Sequence, residues 1–387
     1  MINKNKITNY WFKIEPYVHI GISKNSALLY NTLDGVTIES YKADVIELLR
    51  ESIQKINCGV VFLSANRYNN ENIKLFIQEL RKKYMGDIID VNLSIDKPIQ
   101  IMPYSIYWNQ TIPNIYKKQN FSTIDNILKI LTELCIQVDQ SSNIQKLKSF
   151  IQSVPEHLIF NIAGNINDMP NHNQLFSFLD QHHSYKNILC SYTNVIFLES
   201  TFENNFSYKI SVDFPIDMHQ WNHIWQLMNK QTFPYEYIFE VTSIKDCSEV
   251  ELIIKEFNIN KYRIKPVYTG NNIRFFEDNI FITKEDILSS HLSIKDFFEN
   301  QAINIYDFGK INIMPNGDAY ANVNHPVLGN IYTQSLYEIV QKEIEEGQSW
   351  FRIRSQSPCC DCVYQWLCPS PSDYEIVIGR PNLCHIK

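Results

Sequence analysis

Five of the chain's nine cysteines fall in one short C-terminal run. Cys359-Cys360-Asp361-Cys362-Val363-Tyr364-Gln365-Trp366-Leu367-Cys368-Pro369, followed by Cys384, spells the spacing C-x2-C-x5-C-x15-C. A C-x2-C pair sets two thiolates on one tight turn, and two more cysteines complete the four-sulfur shell that zinc or an iron–sulfur cluster requires. The predicted metal ligands are therefore Cys359, Cys362, Cys368 and Cys384, holding one 4Fe–4S cluster or, alternatively, zinc. Short spacings and a reducing compartment both disfavour disulfides here. Cys360 lies inside the turn without a partner by spacing, either a spare thiol or an alternative ligand. Cys58, Cys190 and Cys247 are isolated among apolar neighbours and read as small buried hydrophobes.

Little else in the sequence carries a recognisable reaction. The glycine-lysine phosphate loop, the dinucleotide fingerprint, the nucleophile elbow and the helical zinc-protease motif are all missing. His219 and His223 stand four apart near Asp217, a spacing able to bind a metal, but Trp221, Ile224 and Trp225 interleave with them as in a packed amphipathic helix. At 387 residues the chain has room for two or three domains, and a net charge of −7 gives no basic footprint for nucleic acid. No apolar run approaches the roughly 20 residues of a membrane span. The polar start Met1-Ile2-Asn3-Lys4-Asn5-Lys6 leads into no apolar signal segment, so a cytoplasmic location is expected.

The elements that must position the cysteines fall into an α/β pattern. In residues 1–95, Val18–Ile22, Ala27–Asn31 and Val36–Glu39 read as three antiparallel strands, with Leu33-Asp34-Gly35 as a turn. Ala43–Ile53 and Asn70–Tyr84 follow as amphipathic helices, the second capped by Asn69 or Asn70. Residues 96–122, with Pro98, Pro103 and Pro113, read as a linker. Between 123 and 295, strands at Leu134–Val138, Leu158–Ile162, Val195–Leu198, Tyr208–Val212, Tyr237–Val241 and Tyr262–Val267 alternate with helical stretches, which predicts a parallel sheet. The cysteine-rich remainder occupies 296–387.

The cysteine run is similar to the second half of the SPASM extension of radical-SAM enzymes, whose downstream half reads C-x2-C-x5-C-x3-C before a final cysteine. Cys359, Cys362, Cys368 and Cys384 match, Ser372 stands at the remaining position, and Pro315-Asn316-Gly317-Asp318-Ala319-Tyr320-Ala321-Asn322 keeps the upstream strand and turn without its thiol. The resemblance implies that one auxiliary cluster site is erased and the other kept. Six βα units ahead of such a tail resemble the partial barrel of those enzymes. The C-x3-C-x2-C loop that would carry the reactive cluster is absent, since Val138-Asp139-Gln140-Ser141-Ser142-Asn143 runs straight into a helix. The expected glycine-rich turn reads Ala163-Gly164-Asn165-Ile166, so no S-adenosylmethionine site is expected.

Residues 1–95 resemble the winged-helix RiPP recognition element, in which a leader peptide adds as a strand to the third strand and leans on the last helix. That implies an edge at Val36, Thr37, Ile38, Glu39 and Ser40, and helix contacts at Ile73, Phe76, Ile77 and Leu80. The surroundings Trp366-Leu367-Cys368-Pro369 and Gly379-Arg380-Pro381-Asn382-Leu383-Cys384-His385 extend the match to pseudo-radical-SAM proteins with SPASM tails. The whole implies a non-catalytic accessory that binds a ribosomal precursor's leader and presents the peptide to an active radical-SAM maturase. Two readings stay open beside it: a cluster subunit that delivers electrons to that partner, and a metal-stapled scaffold without a peptide ligand.

Overall fold

The computed structural model describes residues 8–93, 96–99, 127–164, 166–195 and 205–386. Most of the expected linker lies outside the described residues, as do Asn165 and residues 196–198 of the expected third strand. The molecule is mixed α/β, with two small antiparallel sheets in its N-terminal part and one nine-stranded sheet beyond.

The first small sheet is centred on β1 (Tyr10–Ile14), flanked by β5 (Val60–Leu63) and β6 (Gly86–Asp90). The second runs β2 (Val18–Ile22), β3 (Ala27–Asn31), β4 (Thr37–Ser40), antiparallel throughout. The sequence predicted the second and not the first, because β5 and β6 are too brief for their period to distinguish strand from helix end. Helices α1 (Ala43–Ser52), α2 (Ala65–Tyr68) and α3 (Glu71–Lys82) complete this part. Asn70 caps α3 by accepting the amides of Asn72 and Ile73.

The apolar stripe of α3 accounts for a correction. Ile73, Phe76, Ile77 and Leu80 are all buried, packed with Phe12, Ile14, Val45, Leu48 and Leu49. The periodicity that made them conspicuous is that of a core-facing stripe, and these side chains have no surface to offer a peptide.

In the large sheet, β7 (Glu133–Val138), β8 (Ile159–Gly164), β9 (Lys186–Ser191), β10 (Phe206–Asp213), β11 (Tyr235–Val241) and β12 (Tyr262–Pro266) lie parallel and in sequence order. The third strand is thus Lys186–Ser191 rather than Val195–Leu198, and Val195 sits in the turn beyond it. Without a reversal of strand order, right-handed crossovers put every intervening helix on the same face. These are α4 (Ile144–Gln152), α5 (His172–Asp180), α6 (Met218–Met228) and α7 (Ile244–Glu256). The strands alternate accordingly: Leu134, Ile136, Phe160, Ile188, Ile210 and Phe239 are buried in the main core. The opposite face carries Glu133, Asn161, Asn187, Glu236 and Lys310, tied by Asn161 to Glu133 at 3.0 Å and Asn187 to Asn161 at 2.8 Å.

Helices α8 (Ile273–Asn279), α9 (Lys284–Ser289) and α10 (Ile294–Ala302) lead to β13 (Lys310–Ile313), which joins the sheet parallel to β7. The sheet therefore crosses the expected boundary at 295, extending through β14 (Asp318–Tyr320) and β15 (Gly329–Asn330). Gly317 turns the hairpin between β13 and β14 at φ +88°, with the Tyr332 ring where a side chain would stand. Helix α11 (Leu336–Glu346) joins the main core, and α12 (Asp373–Ile378) lies between Cys368 and Cys384. Helices α7, α9, α10 and α11 each open with a reciprocal cap, Ser243 with Asp246, Thr283 with Asp286, Ser293 with Asp296 and Ser335 with Glu338. Among the described residues no helix is long and apolar enough to cross a membrane.

The N-terminal part is joined to the C-terminal run through a separate apolar cluster of Leu28, Tyr30, Ile287, Phe297, Tyr364, Trp366 and Leu367. His19 on β2 stacks on Phe297 with ring centroids 4.3 Å apart, and burial pushes its imidazole pKa down to about 3. The folded ring stays neutral while the unfolded chain, near 6.5, binds a proton. This contribution to stability is complete above about pH 6.5 and declines as pH falls toward 3. His19→Gln is expected to flatten that part of the pH dependence, measured as urea midpoints from pH 7 to pH 4 against the parent chain.

Candidate metal centre

The four predicted ligands come from three pieces of backbone. Cys359 opens a single 3-10 turn, and the amide of Cys362 donates to the Cys359 carbonyl at 3.0 Å, so the C-x2-C pair forms the tight turn its spacing predicts. The amide of Cys368 closes a second turn on the Tyr364 carbonyl at 3.0 Å. Cys384 arrives on an extended segment that makes a parallel bridge with Ile282, with the Ile282 amide on the Leu383 carbonyl at 2.9 Å.

All four line one cavity of 690 Å³, together with Arg354, Asn382, Lys284, Tyr41 and the serines Ser23 and Ser26 of the β2–β3 turn. Each of three sulfurs has a donor aimed at it. The Asn382 amide group stands 3.0 Å from Cys384 Sγ, the Tyr364 backbone amide 3.4 Å from Cys362 Sγ, and Arg354 Nη1 3.8 Å from Cys359 Sγ. Donors of this kind stabilise thiolates and tune bound clusters. Burial holds the Cys359 and Cys362 thiols above the ordinary range, with Arg354 opposing it, and pushes Cys368 up to about 12. Mutual repulsion among the sulfurs adds to the rise. As bare thiols they retain their protons, and a bound cation is what would draw these off.

Among the described residues no three His, Cys, Asp or Glu side chains converge on the space of one metal ion. A zinc shell needs four sulfurs about 2.3 Å from a single point. The four cysteines instead line a shared cavity without converging on one point. Cys360 is exposed with its thiol turned to Asp361 at 3.6 Å, apart from the other four. Cys190 is buried, while Cys58 and Cys247 are half-buried rather than enclosed. His219 and His223 are exposed on α6, whose cap is Asp217.

Arg354 connects the centre to α12. It is 7% exposed and pairs with Glu375, 6% exposed, at 3.0 Å, while its Nε donates to the Pro369 carbonyl at 2.6 Å. Beyond it, at the positions where the resemblance expects lost thiolates, stand Asn322 and Ser372. Asn322 donates to Asp307 at 2.9 Å and to Asp373, and Arg352 donates to the Ser372 and Pro371 carbonyls at 3.2 and 3.1 Å. Burial, reinforced by the nearby Asp373 charge, raises the Asp307 carboxyl above its ordinary range. A partly buried polar network thus joins these two positions.

Sequence reasoning named Glu39 for the peptide edge and missed its place behind the cavity-lining Tyr364 and Lys284. Glu39 accepts the Tyr364 hydroxyl at 2.9 Å and pairs with Lys284 at 2.7 Å. Burial opposes its ionisation, but hydrogen bonds from Lys284, Tyr364 and Tyr41 outweigh it and hold the carboxyl below the usual range. A Cβ on Gly21 of β2 would meet the Val363 carbonyl at 2.1 Å, so the cysteine loop is pressed onto this sheet. No motif links residues so far apart in sequence; the one available signal was a glycine inside a predicted strand.

The predicted edge is only partly open. The register Leu29 with Ile38 and Ala27 with Ser40, continuing the Asn31 amide on the Val36 carbonyl, turns the backbone groups of Ile38 and Ser40 toward β3. Those of Thr37 and Glu39 face outward, and the Thr37 carbonyl accepts Lys83 Nζ at 2.9 Å.

No protein-family model matches the chain, and none of the curated proteins compared with it matches.

Arg354→Met is expected to destabilise the fold by about 3–5 kcal/mol by stranding a buried Glu375, and adding Glu375→Leu to recover most of that. Chemical denaturation of the three proteins under argon checks it.

Proposed function

We propose that the chain is a non-catalytic accessory of ribosomal peptide maturation, a pseudo-radical-SAM protein with one 4Fe–4S cluster on Cys359, Cys362, Cys368 and Cys384. The observation that carries this reading is the contrast between two places. Four cysteines, three of them with sulfur-directed donors, face one cavity at the C-terminal run. At the end of β7, where a reactive cluster would be held, Asp139 instead accepts the Ser141 amide at 2.7 Å, and Asn143 caps α4 directly. Six parallel strands in sequence order support a degenerate partial barrel. When bound, the cluster would supply a rigid cross-link between three chain segments and, in the alternative reading, a one-electron carrier.

In this reading the N-terminal part grips a leader peptide by β-augmentation at the outward-facing groups of Thr37 and Glu39. The helix contribution passes from the buried stripe to the exposed side of α3, near Leu75, which is 55% exposed, and Lys83. A partner radical-SAM maturase would supply the chemistry. Electron delivery to that partner remains the second use of the same cluster, favoured by the solvent-exposed Asp361 on the cavity's rim.

A fluorescent peptide spanning the leader of a short precursor encoded beside this chain is the probe. Thr37→Pro, which removes an outward donor and leaves the inner ladder intact, is expected to weaken binding at least about tenfold. Ile38→Pro is the poorer variant, since its amide belongs to the β3–β4 ladder. Reduced protein given S-adenosylmethionine is expected to form no 5′-deoxyadenosine. Cleavage by the isolated chain, or leader affinity untouched by Thr37→Pro, contradicts the reading.

A further inference from the structure

We infer that the group bound by the four cysteines governs the order of the β4 edge, with Glu39 as the residue that senses it. This rests on the reading of those cysteines as metal ligands and goes beyond it in tying the order of a strand edge to occupancy of the cavity beside it.

Two of the four cysteines reach Glu39 by separate routes. Two residues after Cys362, the Tyr364 hydroxyl donates to Glu39 Oε1 at 2.9 Å. Cys384 is bridged to Ile282, and two residues after Ile282, Lys284 pairs with the same carboxylate at 2.7 Å. Lys284 also lies over the Tyr364 ring, 5.9 Å from its centroid, so the arms of the clamp touch each other. The Cys362–Tyr364 loop and the Ile282–Lys284 segment are distant in sequence and meet at the cavity. Anything that gathers their thiolates brings Tyr364 and Lys284 together on one carboxylate. Anything that releases them frees each arm separately.

The carboxylate sits where it matters for the edge. Glu39 is one of the two β4 residues whose backbone groups face outward. The adjoining contact is rigid as well, because the Val363 carbonyl fills the space over Gly21 that any side chain would need. Tyr41, directly beyond β4, lines the same cavity. Loss of the bound group would loosen the cysteine loop, open the clamp and let the Glu39–Tyr41 end of β4 fray from its free side, while Ile38 and the side chains of β2 and β3 stay held by the helix-packed core.

Hydrogen exchange by mass spectrometry on the full chain, metal-loaded and chelator-stripped under argon, tests this without a peptide. Stripping is expected to speed exchange in the Thr37–Tyr41 stretch about tenfold, read on the ladder-facing amides of Ile38 and Ser40, the scale set by charge-assisted hydrogen bonds, with little change in α1. Glu39→Ala, and separately Tyr364→Phe with Lys284→Met, should give that faster exchange while metal is still bound and make it indifferent to stripping. The coupling is overturned if stripping opens the Cys359–Cys368 segment and leaves β4 unchanged, or if Glu39→Ala responds to stripping as the parent does. Elemental analysis of the loaded sample separates the two failures: protein that binds neither iron nor zinc overturns the ligand reading itself.

Discussion

The structure depends on the seating of the cysteine loop against the β2–β3–β4 sheet. Val363 presses its carbonyl where only a glycine leaves room, Tyr364 and Lys284 close on Glu39, and Leu28, Tyr30, Phe297, Trp366 and Leu367 form the apolar floor beneath. Remove that seating and the sheet keeps only its other face, packed on α1 and α3. The C-terminal run would keep its polar ties to the main body, such as Asn300 to the Trp366 carbonyl at 3.0 Å and Asn304 to the Pro371 carbonyl at 2.9 Å. A four-sulfur site placed at this junction fixes more than a tail: it draws segments from both ends of the chain to one point.

Much of this was legible in the residues. The C-x2-C turn, the strands β7, β8, β10, β11 and β12, and the cap of α3 lie where local pattern put them, since each is decided by neighbours a few positions away. The strand β9 was misplaced because Lys186-Asn187-Ile188-Leu189-Cys190 is less continuously apolar than the Val195 segment, and sheet membership, not local hydrophobicity, decided between them. The first small sheet was invisible for a related reason. Its central strand pairs with partners roughly fifty and eighty residues away, and period alone cannot report such distant pairing.

The site was half legible. Spacing singled out the four cysteines, which the fold brings to one cavity, because a thiolate cage has few spacings to choose from. It could not identify Arg354, Asn382 or Glu39, whose side chains are ordinary in sequence and acquire roles only through packing. It also misjudged α3, where the stripe that announces a helix is by that fact the buried one. The sheet's second face belongs with these lessons. A parallel sheet is normally covered by apolar layers on both sides, yet this one turns Glu133, Asn161, Asn187 and Lys310 away from its helices, in a network that suits a scaffold built around a polar interior.

The central claim is that Cys359, Cys362, Cys368 and Cys384 together hold one cluster in a chain that does not itself react. Mössbauer spectroscopy of the anaerobically iron-loaded protein tests it most directly. The account predicts a single 4Fe–4S signal with four thiolate-ligated irons, abolished by Cys368→Ala and unchanged in character on addition of S-adenosylmethionine. A chain that takes up only zinc, or a signal with one iron that changes when S-adenosylmethionine binds, would contradict it.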